Sequence, residues 1–315
     1  MSDSPAPLVQ PTTDYALNET KPAPEIQAAP ETAKLASPIP TLEPQGTRDE
    51  VQGTGKKDYA LITGASSGIG QAFAQVLAAK KKPLILIGRR EPQLKTLADE
   101  LRQREGIDVR FLPIDLARSK ELPLLPGKLK AMGFQIDVLV NCAGFGKYGN
   151  EEQVSYEDSL NMVNLNCRAV LALTKLFLPE MLRRKKGAII NVADMVGFFP
   201  VPNMATYAAT KAFVISFTEA LAQELKGTGV RIICSCPSPV ASAFHARSNI
   251  NPAKFKNLNP LSDPQTVAEQ TLQALKDGET LVLTGKPTIW TRLMPKILPR
   301  SWLSSYGSAL LHPQA

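Results

Sequence analysis

From Asp58 onward, short apolar runs alternate with longer stretches of helical period. The runs are Tyr59–Thr63, Leu84–Gly88, Val109–Ile114, Ile136–Val140, Ala188–Val192, Val230–Ser235 and Thr280–Thr284. They are rich in Val, Ile and Leu and lack polar alternation, the pattern of strands covered on both faces of a parallel sheet. Between them the spacing predicts helices over Gly70–Lys80, Gln93–Arg104, Tyr156–Arg184, Tyr207–Leu225 and Pro264–Lys276. Strand–helix–strand repetition requires right-handed crossovers. The expected fold is therefore α/β, a doubly wound parallel sheet in a single domain over residues 56–285. Ligands of such sheets bind beyond the carboxyl ends of the strands.

Both ends of the chain break the pattern. Residues 1–55 hold nine prolines, one aromatic (Tyr15) and eight acidic against three basic side chains. A stretch of that composition buries too little apolar surface to offset its ordering entropy, so a disordered tail is expected. With +7 overall and −5 on the tail, the remainder carries +12. Residues 286–315 contain Lys286, Arg292, Lys296 and Arg300 and no acidic residue, interleaved with Trp290, Leu293, Ile297, Trp302 and Tyr306. Such a basic amphipathic stretch suits an anionic membrane surface, or equally a cover over the cleft or a subunit interface. No apolar run approaches the ~18 residues of a membrane span, and the opening residues lack the order of a secretory signal. Four cysteines (Cys142, Cys167, Cys234 and Cys236) and two histidines give no disulfide framework or metal cluster. Reduced, buried thiols in a cytoplasmic protein without a metal are expected, and no nucleic-acid-binding module accompanies the positive charge.

Chemistry concentrates at the predicted strand ends. The first strand runs into Thr63-Gly64-Ala65-Ser66-Ser67-Gly68-Ile69-Gly70 and then a helix. Gly64 would permit the tight turn, Gly68 the approach of backbone to a pyrophosphate, and Gly70 close helix–sheet packing, with the helix N-terminus facing the phosphates. After the second strand stand Arg89 and Arg90, where a site selecting NAD(H) would place a carboxylate; paired guanidiniums suit the 2′-phosphate of NADP(H). Further along, Tyr207 and Lys211 are four residues apart, on one helix face. A lysine beside the phenol would favour the phenolate and lower the tyrosine pKa, giving a proton donor and acceptor usable near neutrality.

With TGASSGIG at 63–70, NCAG at 141–144, YAATK at 207–211 and CPSPVAS at 236–242, the sequence resembles the short-chain dehydrogenase/reductase family, and within it the oxoacyl and hydroxysteroid reductases. The resemblance implies a Rossmann fold and a small-molecule carbonyl or alcohol substrate. It also implies Tyr207 as general acid/base, Lys211 as its electrostatic partner and ribose ligand, and Asn166 as holder of a linking water. Ser66, Ser67, Ile69 and the three glycines would hold the phosphates, and Asp115 and Leu116 would bracket the adenine. Asn141, Ala143 and Gly144 would line the ribose, with Pro237, Val240 and Ser242 at the nicotinamide. A homo-oligomer is the expected assembly.

Two positions depart from the family pattern. Ser238 replaces a glycine after Pro237, and Asp194 occupies the place of the catalytic serine, thirteen residues before the tyrosine. A serine donates a hydrogen bond to the reacting oxygen, whereas an ionised carboxylate only accepts. Either Asp194 is protonated when it acts, its carboxyl raised by apolar neighbours such as Met195 and Val196, or catalysis is altered or lost. Two functions are thus expected to compete. One is an NADP(H)-dependent oxidoreductase acting on an apolar ketone or alcohol, with Phe145, Met195, Phe199 and Met204 as pocket walls. The other is a nucleotide-binding regulatory or scaffold protein with impaired catalysis.

Overall fold

The computed structural model describes residues 57–240, 248, 261–285 and 302. The tail 1–55, residue Ser242 and, apart from Trp302, the 286–315 extension lie outside the described residues. The strands are β1 (Lys57–Thr63), β2 (Leu84–Gly88), β3 (Val109–Pro113), β4 (Phe134–Asn141), β5 (Gly187–Val192), β6 (Val230–Pro237) and β7 (Leu281–Thr284). They form one parallel sheet in the order β3-β2-β1-β4-β5-β6-β7. All seven expected strands are present. Side chains alternate between two apolar layers, Leu61, Ile85, Leu139 and Ile189 on one face and Ile62, Leu86, Val140 and Ile190 on the other. Because helices cover both faces, neither needs polar residues, which explains the unmixed apolar runs.

The helices are α1 (Gly68–Ala79), α2 (Glu91–Glu105), α3 (Leu125–Ala131), α4 (Tyr156–Val163), α5 (Ala169–Arg184), α6 (Ala205–Glu224) and α7 (Pro264–Lys276). Two differ from the sequence expectation. The short α3 went unforeseen because its seven residues LPGKLKA carry Pro126 and Gly127, both marks of a turn. The single helix expected over Tyr156–Arg184 is broken by a π-helical turn, Asn164–Arg168, into α4 and α5. The extra residue in that turn leaves the apolar spacing nearly helical, so sequence period does not expose it.

Strand order reverses between β1 and β4: the chain after β1 moves outward to β2 and β3, then returns to β4 on the other side. The crevice above that reversal is where the loops leaving β1 and β4 diverge, and it receives the glycine turn.

Candidate active site

The glycine turn is built from backbone that side chains would obstruct. Gly64 and Gly68 have φ of +69° and +61°. A Cβ on Gly64 would come within 2.9 Å of Ala143 Cα, and one on Gly70 within 2.4 Å of the Gly64 carbonyl oxygen. The first closeness lets the β1 and β4 loops meet; the second seats the start of α1 on the turn. Thr63 fastens the same junction, its hydroxyl donating to the Val140 carbonyl at 3.2 Å and accepting from the amides of Cys142 and Ala143 at 2.9 and 3.0 Å.

A cleft opens above this junction. Its lining includes Gly64, Ser66, Ser67, Gly68, Ile69 and Gly70, with Arg89 and Arg90, Asp115 and Leu116, and Ala143 and Gly144. Twelve sequence-selected positions from four strand ends thus share one surface. The two arginines have different surroundings. Arg89 is exposed, while half-buried Arg90 donates to the Ser66 carbonyl and hydroxyl at 3.1 Å and to the Ser67 hydroxyl at 2.8 Å. Asp115 accepts from the Ala117 amide at 3.0 Å, which shapes the turn after β3. Cys142 lines the cleft too, half-buried, and burial pushes its thiol up to about 12.

Asn141 lies elsewhere than expected. It is buried, donating to Asn191 Oδ1 at 2.9 Å and Thr174 Oγ1 at 3.3 Å, and Asn191 in turn donates to Thr218 Oγ1 at 2.9 Å. This ladder joins β4, β5, α5 and α6 beneath the loops rather than lining the cleft. Sequence reasoning missed its partners and Thr63. The available signal was a polar residue at or near the carboxyl end of β1, β4 and β5, each closing an otherwise apolar run.

The π-helical turn carries Asn166, buried at 1% exposure. Its amide donates to the Phe145 carbonyl at 2.9 Å and to Thr210 Oγ1 at 3.0 Å, and its oxygen accepts from the Phe145 amide at 3.2 Å. Asn166 therefore ties the loop after β4 to α6, one residue from Lys211. Pro237 ends β6, and Val240 forms a parallel bridge with Ser262. Ser238, the first departure, is accommodated: its hydroxyl and that of Ser262 bond at 2.7 Å. Gly285 supplies the missing space, since a Cβ there would meet both hydroxyls within 2.5 Å.

Tyr207 and Lys211 lie on α6, both buried. Asp194 caps the 3-10 turn Met195–Phe198 after β5, its Oδ1 accepting from the Val196 amide at 3.0 Å. Its Oδ2 accepts from the Tyr207 hydroxyl at 2.8 Å. Lys211 Nζ donates to the Val192 carbonyl at 3.0 Å and stands 5.7 Å from the Tyr207 ring centre. The expected lowering of the Tyr207 pKa is corrected by this geometry. Burial, then the charge of Asp194 and the hydrogen bond to it, push the phenol well above its ordinary value. A buried phenolate would lose hydration and face a carboxylate, and the nearby ammonium does not offset both. Beside Tyr207, Met162, Phe199, Val201 and Met204 form an apolar cluster flanked by Phe145, Tyr148 and Phe198.

The fold and the cleft at its reversal point define a Rossmann-type α/β protein. Residues 58–253 match the short chain dehydrogenase family, and the chain belongs to that family. A very-long-chain 3-oxoacyl-CoA reductase of Phaeosphaeria nodorum is 36% identical over 180 residues, 56% of this chain and 53% of that protein. The chain spans about half to two thirds of the length of the first curated relatives it matches. Among solved structures, a short-chain dehydrogenase from Sphingobium yanoikuyae in complex with NADPH is 30% identical with a TM-score of 0.67, covering 72% of this chain and 87% of its own. A family member from Burkholderia phymatum in complex with NAD is 25% identical with a TM-score of 0.68, covering 83% and 98%. No helix among the described residues is long and apolar enough to cross a membrane, and no metal-binding group of His, Cys, Asp or Glu occurs among them.

Proposed function

We propose that the protein is an NADP(H)-dependent oxidoreductase that interconverts a carbonyl and an alcohol on an apolar substrate. The observation that carries this reading is one cleft at the strand-order reversal, lined by the glycine turn, Arg89 and Arg90, with the buried Lys211 of the Tyr207–Lys211 pair reaching its Gly144 wall, where a Cβ would stand 3.5 Å from Lys211 Nζ. The positive φ of Gly64 and Gly68 and the start of α1 make a backbone cradle that fits a dinucleotide pyrophosphate. Arg89 would take the 2′-phosphate with Arg90 behind it, Asp115 and Leu116 the adenine, and Ala143, Gly144, Tyr207 and Lys211 the riboses. Pro237 and Val240 would face the nicotinamide, with Ser242 beyond the described residues. NADP(H) is favoured over NAD(H) by the two guanidiniums and the absence of a carboxylate at Arg89 and Arg90.

When bound, the nicotinamide supplies or accepts the hydride. The chain's own residues manage the proton. Tyr207 Oη holds it against Asp194 Oδ2, so transfer to a substrate oxygen exchanges one acceptor for another. Lys211 keeps a positive charge near the phenol, and Asn166 holds α6 and the Phe145 loop in register. The apolar cluster beside Tyr207 supports an apolar substrate. The same reading takes the protein as a cytoplasmic homo-oligomer, with the basic residues 286–315 as a contact with anionic lipid or, equally, as a cover over the cleft or a subunit interface.

Asp194 favours a second reading, a nucleotide-binding regulatory or scaffold protein, because it withholds one donor from the reacting oxygen. NADPH oxidation against a panel of ketones, oxoacyl thioesters and steroids, run beside an NADPH titration, separates the two. Turnover that drops by roughly 100-fold or more in Tyr207→Phe, with NADPH still bound, supports the enzyme. NADPH binding with no turnover across the panel supports the scaffold.

A further inference from the structure

Asp194 changes the charge that a reacting group meets. A hydroxyl donor there would assist negative charge growing on a carbonyl oxygen during reduction. A carboxylate does the reverse, and its charge is felt at the Tyr207 hydroxyl 2.8 Å away. Lys211 supplies a positive charge nearby, so Asp194 cancels the bias toward an oxyanion that the lysine alone would give. The buried cluster beside Tyr207 is aromatic as well as apolar: Phe199 within it, and Phe145, Tyr148 and Phe198 packed against it. Aromatic faces and a carboxylate together are the chemistry that recognises organic cations.

We propose that this site takes substrates whose reacting carbon is double-bonded to a positively charged nitrogen, iminium ions on an apolar body, and returns amines. The inference rests on the reading of the cleft as a nicotinamide-dependent hydride-transfer site and extends its substrates from carbonyls to their cationic nitrogen analogues. A C–H bond forms at the C=N⁺ carbon, the π pair becomes the nitrogen lone pair, and the amine forms neutral. The two electrons arrive as hydride from the reduced nicotinamide dinucleotide, which is oxidised, and no proton moves. That balance suits a tyrosine whose hydroxyl already donates its hydrogen bond to Asp194. Asp194 holds the cation before transfer, and the loss of its charge afterwards eases release of the product.

The test is calorimetric titration of the full-length protein with the N-methyl-dihydroisoquinolinium cation and with tetralone, its neutral ring analogue. NADPH is titrated separately. The cation is expected to bind at least about tenfold more tightly than tetralone. Asp194→Asn should erase that difference while leaving NADPH affinity unchanged; Asn keeps an acceptor for the Val196 amide, so the turn is preserved. Asp194→Ser should behave the same way, which guards against a variant-specific folding defect. Equal binding of cation and ketone to the parent, or a preference that survives in both variants, overturns the proposal. Cation binding through Asp194 without NADPH binding would overturn the hydride-transfer reading and leave the cation site standing.

Discussion

At the amino ends of the strands, Asp58 lies between Arg184 and Lys186, with Lys186 Nζ 2.6 Å from its carboxylate. At the carboxyl end of β5, Asp194 lies instead against a phenol that burial and then its charge keep protonated. The other ion pairs of the lower rim follow Asp58: Lys82 donates to Asp137 at 2.7 Å, and Lys81 to Glu105 at 3.1 Å. Burial raises the Asp58 carboxyl, but the bonds to Lys186 and Arg184 outweigh it and the net shift is downward. One end of the sheet relaxes its charges; the other holds an acid against a second proton-bearing group. An acid held against a buried phenol whose titration it perturbs marks that end as the candidate for chemistry.

The sharpest way to break this contrast is to remove the opposing carboxylate. Asp194→Ser places a donor beside the reacting oxygen and relieves Tyr207 of a neighbouring charge. Carbonyl reduction at neutral pH should rise by roughly 100- to 1,000-fold, the range of one well-aimed donor. The parent should gain rate as pH falls and Asp194 is protonated, because the protonated acid can donate, whereas the serine variant should be flat over that acid range. Tyr207, raised by burial and by Asp194, stays protonated throughout it, and the thiols of Cys142 and Cys236, both raised by burial, stay neutral. Steady-state rates on a ketone that the parent turns over measure both. A serine variant no faster than the parent would mean that Asp194 does not oppose the oxygen, and the contrast between the two ends would fail.

A smaller effect separates Arg89 from Arg90. On the proposed function, exposed Arg89 would contact the 2′-phosphate, while Arg90 also holds Ser66 and Ser67. Arg89→Ala should weaken NADPH about tenfold and leave NADH unchanged. Arg90→Ala should weaken both nucleotides, because the turn proposed to cradle the pyrophosphate loses its brace. The double substitution should erase any preference. Fluorescence titration with each nucleotide reads these outcomes, and equal affinity of the parent for NADPH and NADH would remove the assignment of a 2′-phosphate site.

How far this contrast could be read from the sequence differs between its parts. The strands were legible because burial on both faces leaves runs dominated by Val, Ile and Leu, with few polar residues among them. The glycine turn was legible because Gly64, Gly68 and Gly70 each answer a steric demand that no other residue meets. The break at Asn164–Arg168 was hidden by a spacing that stays nearly helical. Asn141 was misplaced because a strand-end asparagine can turn up to a ligand or down into the core, and only its neighbours Asn191 and Thr174 decide. The direction of the Tyr207 shift was misjudged for a similar reason. The lysine four residues on is visible in the sequence, but the depth of burial and the bond from a loop thirteen residues earlier are not.

The smallest expected effect tests the relaxed end. The Asp58 carboxyl has a folded-state pKa below its unfolded value, so its pairs with Arg184 and Lys186 stabilise the fold fully above the unfolded pKa, roughly pH 4. That contribution fades as pH falls through the folded-state value, where the carboxylate is protonated in both states. Asp58→Asn should therefore lower stability by about 1 kcal/mol or less at pH 7, since its partner Lys186 is exposed and such pairs are screened. The deficit should shrink with added salt and vanish at the acid end of the window. Nucleotide affinity and turnover should not change, because the pair lies at the opposite end of the strands from the cleft. Chemical denaturation of parent and variant across pH 3 to 7 measures the deficit. If the deficit instead persists undiminished below the folded-state pKa of Asp58, the asparagine has disturbed packing at Lys57–Tyr59 rather than an ion pair, and the lower rim is not the electrostatic counterpart of the upper one.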